Sequence, residues 1–117
     1  MAAINGAFKE LRALGLAAHQ DWQCCQTCGL DEIMTEVDSA DKRPRGYVFY
    51  HEQDADMLIK YGSCCVAYGS TSDDATDADA ECIGREVAET LQRHGCRVEW
   101  DGTCSQRIAV WCDVVQA

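Results

Sequence analysis

The sequence predicts one α+β (or α/β) domain, a four-stranded mixed sheet packed with about four helices in the order αα-β-α-β-α-β-β. Three observations carry that expectation. Apolar residues recur at steps of three and four in several segments, the period of a helix with one buried face. Two short runs, near 46–51 and 63–69, are aromatic, β-branched or cysteine-rich without polar alternation, as in strands covered on both faces. The last quarter alternates apolar and polar residues like a hairpin. At 117 residues the chain is one domain, residues 1–117, and a chain of that size buries roughly two-thirds of its unfolded surface. It needs neither disulfides nor metal merely to fold.

Each element follows from its residues. Ile4, Phe8, Leu11 and Leu14 define a helix face over about 4–18, with Gly15 placed to end it early. Leu30, Ile33, Met34 and Val37 mark a second helix, which fades into a polar turn from Ser39 to Arg45 around Pro44. Gly46–His51 is the first expected strand. Gln53 or Asp54 then opens a helix carrying Met57, Leu58 and Tyr61, with Gly62 as its stop. Cys64–Tyr68 reads as a second, central strand. The longest helix, about 77–94, presents Ala80, Ile83, Val87 and Leu91, with a capping box from Thr76 and Asp79 and a stop at Gly95. In the hairpin, Cys96, Val98 and Trp100 face Ile108, Val110 and Cys112. Pairing Val98 with Ile108 and Cys96 with Val110 needs a loop of about five residues, and register follows the buried face.

Twenty acidic and ten basic residues give a net charge of −10. That argues against a sequence-independent nucleic-acid binder, which needs Lys and Arg to neutralise phosphates, and against docking on anionic lipid. Charge is uneven: residues 1–30 are neutral, 31–60 carry −4 and 61–117 carry −6. The densest block, Asp73, Asp74, Asp77, Asp79 and Glu81, lacks the glycine and ligand spacing of an EF-hand loop. Charges at Lys9, Glu10 and Arg12 break the N-terminal apolar stretch, which is not the pattern of a signal peptide. No run approaches the ~18 apolar residues of a membrane helix. The expectation is a cytoplasmic protein whose nine cysteines are reduced.

Cys24, Cys25 and Cys28 are the most informative residues. Cys25 and Cys28 have the spacing at which two thiolates reach one zinc ion or form a redox pair. If the backbone is helical by Thr27 they share a face, which leaves Cys24 as the core residue. Zinc would need further ligands, from Cys64 and Cys65 or from His19 or His51, and no second Cys-x-x-Cys supplies them. Buried structural thiols, metal ligands and reactive thiols therefore all stand as readings. No resident cofactor is expected, and zinc at these thiols is the alternative. His51, with Asp54 close by and Glu52 and Asp56 around them, is the only crowding of a histidine with carboxylates. General acid–base chemistry there needs a pocket beside His51; the plainer reading is a polar strand end capping the next helix. Trp100 and Trp111 read as half-buried sheet residues or as an aromatic platform. His94, at a helix C-terminus, needs no role. Phosphate-loop, nucleophile-elbow and zincin motifs are absent.

Taken in order, Cys24-Cys25-Gln-Thr-Cys28-Gly29, Gly46-Tyr-Val-Phe-Tyr-His51-Glu-Gln53-Asp54, Tyr68-Gly69, Ile83-Gly84 and Val98-Glu-Trp100-Asp101-Gly102 resemble an uncharacterised bacterial family over most of the chain. The resemblance implies a shared fold and a family cysteine motif, and transfers no catalytic residue, substrate or cofactor. Cys64, Cys65 and Cys104 look like additions to that pattern. Two functions of different class follow. One is a small, acidic, non-catalytic binding or regulatory module whose partner is a basic protein surface. The other is a metal- or thiol-dependent activity centred on Cys24, Cys25 and Cys28, with Cys25 and Cys28 acting together.

Overall fold

The structure, a computed structural model, describes residues 2–23, 25–72, 74, 76–103 and 106–111. The expectations for Cys24, Cys104 and Cys112 lie outside the described residues.

The first helix, α1 (Ala2–Ala13), is shorter than its apolar period suggests, and a strand, β1 (Leu16–His19), stands where its last turn was expected. Gly15 is the reason. Its φ of +95° is a left-handed conformation that a helix cannot continue through and that side-chain-bearing residues avoid. Leu14 consequently leaves the apolar face and is exposed, while Leu16, Ala17 and Ala18 are buried in a new strand. The remaining elements are α2 (Gln26–Ser39), β2 (Gly46–Phe49), α3 (Glu52–Tyr61), β3 (Ser63–Ser70), α4 (Asp77–Arg93), β4 (Arg97–Glu99) and β5 (Ile108–Trp111).

The sheet therefore has five strands, not four, in the order β1-β2-β3-β5-β4. β1 and β2 are parallel, joined through α2, and all other pairs are antiparallel. The fold is α+β, with β3 central as its apolar run predicts. In the hairpin Val98 faces Val110, not Ile108, and Cys96 precedes β4. The difference is two residues, so every side chain keeps its face. A longer connection, which lets Trp100 leave the strand, accounts for it. The Trp100 Nε1–H donates to the Tyr68 hydroxyl at 2.9 Å, and the two rings meet edge to face.

One sheet face carries the main core. Ile4, Phe8 and Leu11 from α1, Leu58 from α3, and Ile83, Val87 and Leu91 from α4 pack with Val48, Val66, Ile108 and Val110. The other face is covered by α2, whose Ile33 and Val37 meet Ala17, Phe49 and Ala67, with Trp22 packed beside them. Leu30, expected on that apolar face, is exposed. Beyond the reach of α2, Cys65, Ala109 and Trp111 are only half-buried, and the Arg97 guanidinium lies 4.9 Å from the Trp111 ring centre. β3 is thus less completely covered than its apolar run implies.

Helix ends follow the local chemistry. Thr76 and Asp79 form the full capping box of α4, and Gly62 closes α3 at φ +74°. Neither Gln53 nor Asp54 caps α3; His51 does, accepting from the Asp54 backbone N–H. His94, for which the sequence offered no role, ties α4 to α1. Its Nε2 lies 2.9 Å from Glu10 Oε1, and its ring lies where a Cβ on Gly6 would meet it at 2.9 Å. The hydrogen bond to His94, with Arg93 beside it, holds the Glu10 carboxyl below its ordinary pKa.

Two substitutions test this packing. Ile108→Ala empties a fully buried position opposite Val66 and should cost about 2–5 kcal/mol in denaturant unfolding. Gly29→Ala sets helix propensity, worth about 1 kcal/mol in its favour, against a Cβ only 2.5 Å from the Phe49 ring. Phe49 is fully buried and has nowhere to move, so overpacking should prevail and lower stability by about 1–2 kcal/mol net.

Candidate functional site

Strand carboxyl ends are where open sheets with parallel strands place their working groups, and here two coincide. β1 ends at His19 and β2 at Phe49, in register. The segments that follow are pinned to each other: the Trp22 N–H donates to Tyr50 O at 2.9 Å and the Glu52 N–H to Gln23 O at 3.0 Å. The Gln20 amide donates to Asn5 Oδ1 and to the Tyr50 hydroxyl. These bonds hold two non-glycine residues, Asp21 (φ +51°) and Gln23 (φ +63°), in the left-handed region. Such conformations cost on the order of 1–3 kcal/mol each and persist where surrounding structure over-determines them.

Beside this loop lies a groove of about 220 Å³ lined by Asn5, Asp21, Tyr50, Ala55, Leu58 and Ile59. Its walls are mainly apolar, and among the described residues its one carboxylate is Asp21. Ile59 is 69% exposed. On the opposite shoulder of α3, Met57 and Tyr61 are 46% and 68% exposed. Met57 and Tyr61 were expected to face the core with Leu58; instead the positions turned inward are Asp54 and Leu58. The cause is electrostatic. Asp54 Oδ2 lies 3.2 Å from His51 Nε2 and 3.4 Å from Arg107 Nη1, and a buried carboxylate needs such partners.

His51 and Asp54 are therefore brought together, as their sequence proximity suggests. The His51 Nδ1 accepts from the Asp54 backbone and its Nε2 faces the Asp54 carboxylate. Both ring nitrogens are engaged inside the protein, so neither is placed to take a proton from a substrate. The groove wall includes neither residue. The same carboxylate acts on Cys64. Burial first, and then the Asp54 charge, push that thiol from 9.0 up to about 12, which makes Cys64 a proton-bearing core group and not a nucleophile.

Cys25 and Cys28 sit at the start of α2. Cys25 is the N-cap, in extended conformation, and Cys28 lies exposed in the first turn. Among the described residues no three His, Cys, Asp or Glu side chains converge to hold a metal ion. Cys64 and Cys65 belong to β3, and His51 is taken up by Asp54.

Two features of this end were not legible beforehand. Trp22 stacks on His19 with ring centres 3.9 Å apart, and its Nε1–H donates to Gly29 O at 3.0 Å. His19 Nε2 lies 2.8 and 2.9 Å from the two Glu36 oxygens. Periodicity carries no signal for the Trp22 contacts, because Trp22 lies in an irregular loop. The hint was an aromatic residue two positions before the cysteine motif.

Residues 2–114 match the family model described as Domain of unknown function (DUF6891). No curated protein and no solved structure matches the chain. No helix among the described residues is long and apolar enough to cross a membrane.

The Cys64 environment has a pH consequence. A thiol whose folded pKa is raised stabilises the fold below its ordinary value, and that stability is lost as pH rises toward the folded value. Denaturant midpoints should therefore fall as pH increases from about 9 towards 12. Cys64→Ala should start lower, through its lost packing, but show a shallower alkaline decline. Equal slopes in the two proteins would contradict this account.

Proposed function

We propose that this chain, which belongs to the family Domain of unknown function (DUF6891), is a non-catalytic binding module that acts through protein contacts. Its partner is a protein surface that offers a basic side chain with an apolar stem. The observation that carries this reading is the groove between α3 and the post-β1 loop. Tyr50, Leu58 and Ile59 supply apolar walls, and Asp21 supplies a single carboxylate held in a left-handed conformation. A Lys or Arg stem packs on such walls while its charge meets the carboxylate. Exposed Ile59 at the rim of the groove gives it apolar contact area, of the kind that marks interaction sites when rimmed by polar residues. The net charge of −10 favours encounter with a basic partner.

A second reading rests on Cys25 and Cys28. Their position at the N-cap and first turn of α2 is where the helix dipole favours a thiolate. In thiol–disulfide exchange with an oxidised disulfide substrate, one thiolate would attack a substrate sulfur and release the other as a thiol. The second cysteine would then displace the remaining substrate thiol, leaving a Cys25–Cys28 disulfide and a dithiol product. Two rapidly alkylated thiols in the native protein, mapped to Cys25 and Cys28, would favour this reading; thiols that react only after denaturation would remove it.

The binding reading is tested with a lysine- and leucine-containing amphipathic peptide followed by amide chemical shifts. Saturable shifts are expected at Asp21, Ala55 and Ile59, weakened by salt. Ile59→Ser should reduce affinity roughly tenfold through lost apolar burial. Asp21→Asn, which still tolerates the left-handed region, should reduce it about two- to fivefold. Non-saturating shifts spread over all the surface acids would defeat the proposal.

A further inference from the structure

The opposite end of the parallel strand pair has the reverse charge. There a cleft of about 400 Å³ is lined by Arg12, Lys42, Arg43 and Arg45 together with Leu16, Pro44 and Gly15. Four of the ten basic residues of a strongly acidic chain thus converge on one cavity, and among the described residues no acidic one lines it. Chance placement on a surface with twice as many acids as bases would intersperse the two signs.

The three arginine side chains are held in place by the fold. The Arg12 Nη1–H donates to Ala18 O at 2.9 Å. Arg43 donates to Thr71 O from Nε at 3.1 Å and from Nη2 at 2.6 Å, and Arg45 Nε donates to Leu14 O at 3.0 Å. Thr71 is itself fixed by its hydroxyl, which donates to Pro44 O. Groups ordered in advance lose less entropy when a ligand arrives. Two of the four charges are already balanced, Arg43 by Asp38 at 2.8 Å and Arg45 by Glu86. Among the described residues Arg12 and Lys42 meet no carboxylate. The cleft therefore presents two uncompensated cations on a scaffold of two neutralised ones, with Leu16 and Pro44 as apolar wall.

We propose that this cleft binds a small phosphate-bearing dianion, with Arg12 and Lys42 as its charge ligands. Two uncompensated positive charges match a dianion and leave a monocarboxylate half-satisfied. Guanidinium suits the planar, two-point recognition of phosphate oxygens, and the Lys42 ammonium supplies a mobile point charge. The apolar wall is where the organic group of a phosphate monoester would lie. This site is independent of the α3 groove, and either proposal can fail without the other.

The probes are inorganic phosphate, phenyl phosphate and acetate, followed by amide chemical shifts and calorimetry at low ionic strength. Saturable binding of the phosphates, with shifts confined to Gly15–Leu16 and Lys42–Gly46, is expected, and acetate should bind at least tenfold more weakly. Tighter binding of phenyl phosphate than of inorganic phosphate would identify an organic monoester as the ligand, and equal binding would identify the free ion. Lys42→Gln removes a charge without breaking any hydrogen bond of the fold and should weaken binding roughly tenfold, the worth of one charge-assisted hydrogen bond. Arg12→Gln should do the same, and Lys9→Gln, on the exposed side of α1, should change nothing. Binding should weaken as pH falls below about 6, where phosphate monoesters lose their second charge. Absence of saturable phosphate binding, acetate binding as tight as phosphate, or equal losses in Lys9→Gln and Lys42→Gln would overturn the proposal.

Discussion

A single backbone reversal organises both ends of this molecule. Gly15, in a left-handed conformation that only a residue without Cβ takes readily, stops α1 and turns Leu16–His19 into a strand parallel to β2. Because the two strands run in register, their starts and their ends lie side by side. The starts bring Gly15 and Leu16 to Arg45, whose N–H donates to Gly15 O at 3.1 Å and whose guanidinium reaches Leu14 O. The ends bring the loop after His19 against the residues after Phe49. Without the reversal there is no parallel pair, and neither the basic cleft nor the groove beside α3 has walls.

The sheet then separates its two faces by function of packing. Three helices bury one face in a continuous core, and α2, with Trp22, covers part of the other. The strands nearest α2 are those whose ends carry the candidate sites, so the smaller of the two cores is the one that positions them. Phe49 and Ile33, both fully buried there, hold α2 against β1 and β2, and the close approach of Gly29 to the Phe49 ring sets how near the helix can lie.

What was legible in the sequence is what periodicity and end signals encode. The long helix with its Thr76–Asp79 box, the Gly62 and Gly95 stops and the central strand around Val66 are all local patterns, and the structure has them. β1 was hidden because Leu14 and Ala18 continue the helical apolar period that Ile4, Phe8 and Leu11 begin; only the φ of Gly15 decides between the two. The hairpin register missed by two residues because Val98 has apolar partners at both Ile108 and Val110, and pleat parity cannot distinguish them. On α3, hydrophobicity pointed Met57 and Tyr61 inward, whereas the need to partner His51 and Arg107 turned Asp54 there. The proximity of His51 and Asp54 was readable, but not that each satisfies the other. The run Lys42-Arg43-Pro44-Arg45 was visible as a polar turn, yet its convergence with Arg12 depends on the Gly15 reversal and is a property of the fold alone.

The two edges of the sheet show what else those charges accomplish. An edge strand exposes backbone donors and acceptors on which a foreign strand can assemble. On one side β4 is three residues long, with Arg97 and Glu99 exposed around Val98, a segment too short and too charged to act as a template. On the other side the Ala18 carbonyl of β1 is occupied by the Arg12 guanidinium. Arg12 is therefore a guard as well as a cation. Its loss would leave an edge carbonyl without its partner next to three buried residues of low polarity, converting a protected margin into a surface open to strand addition.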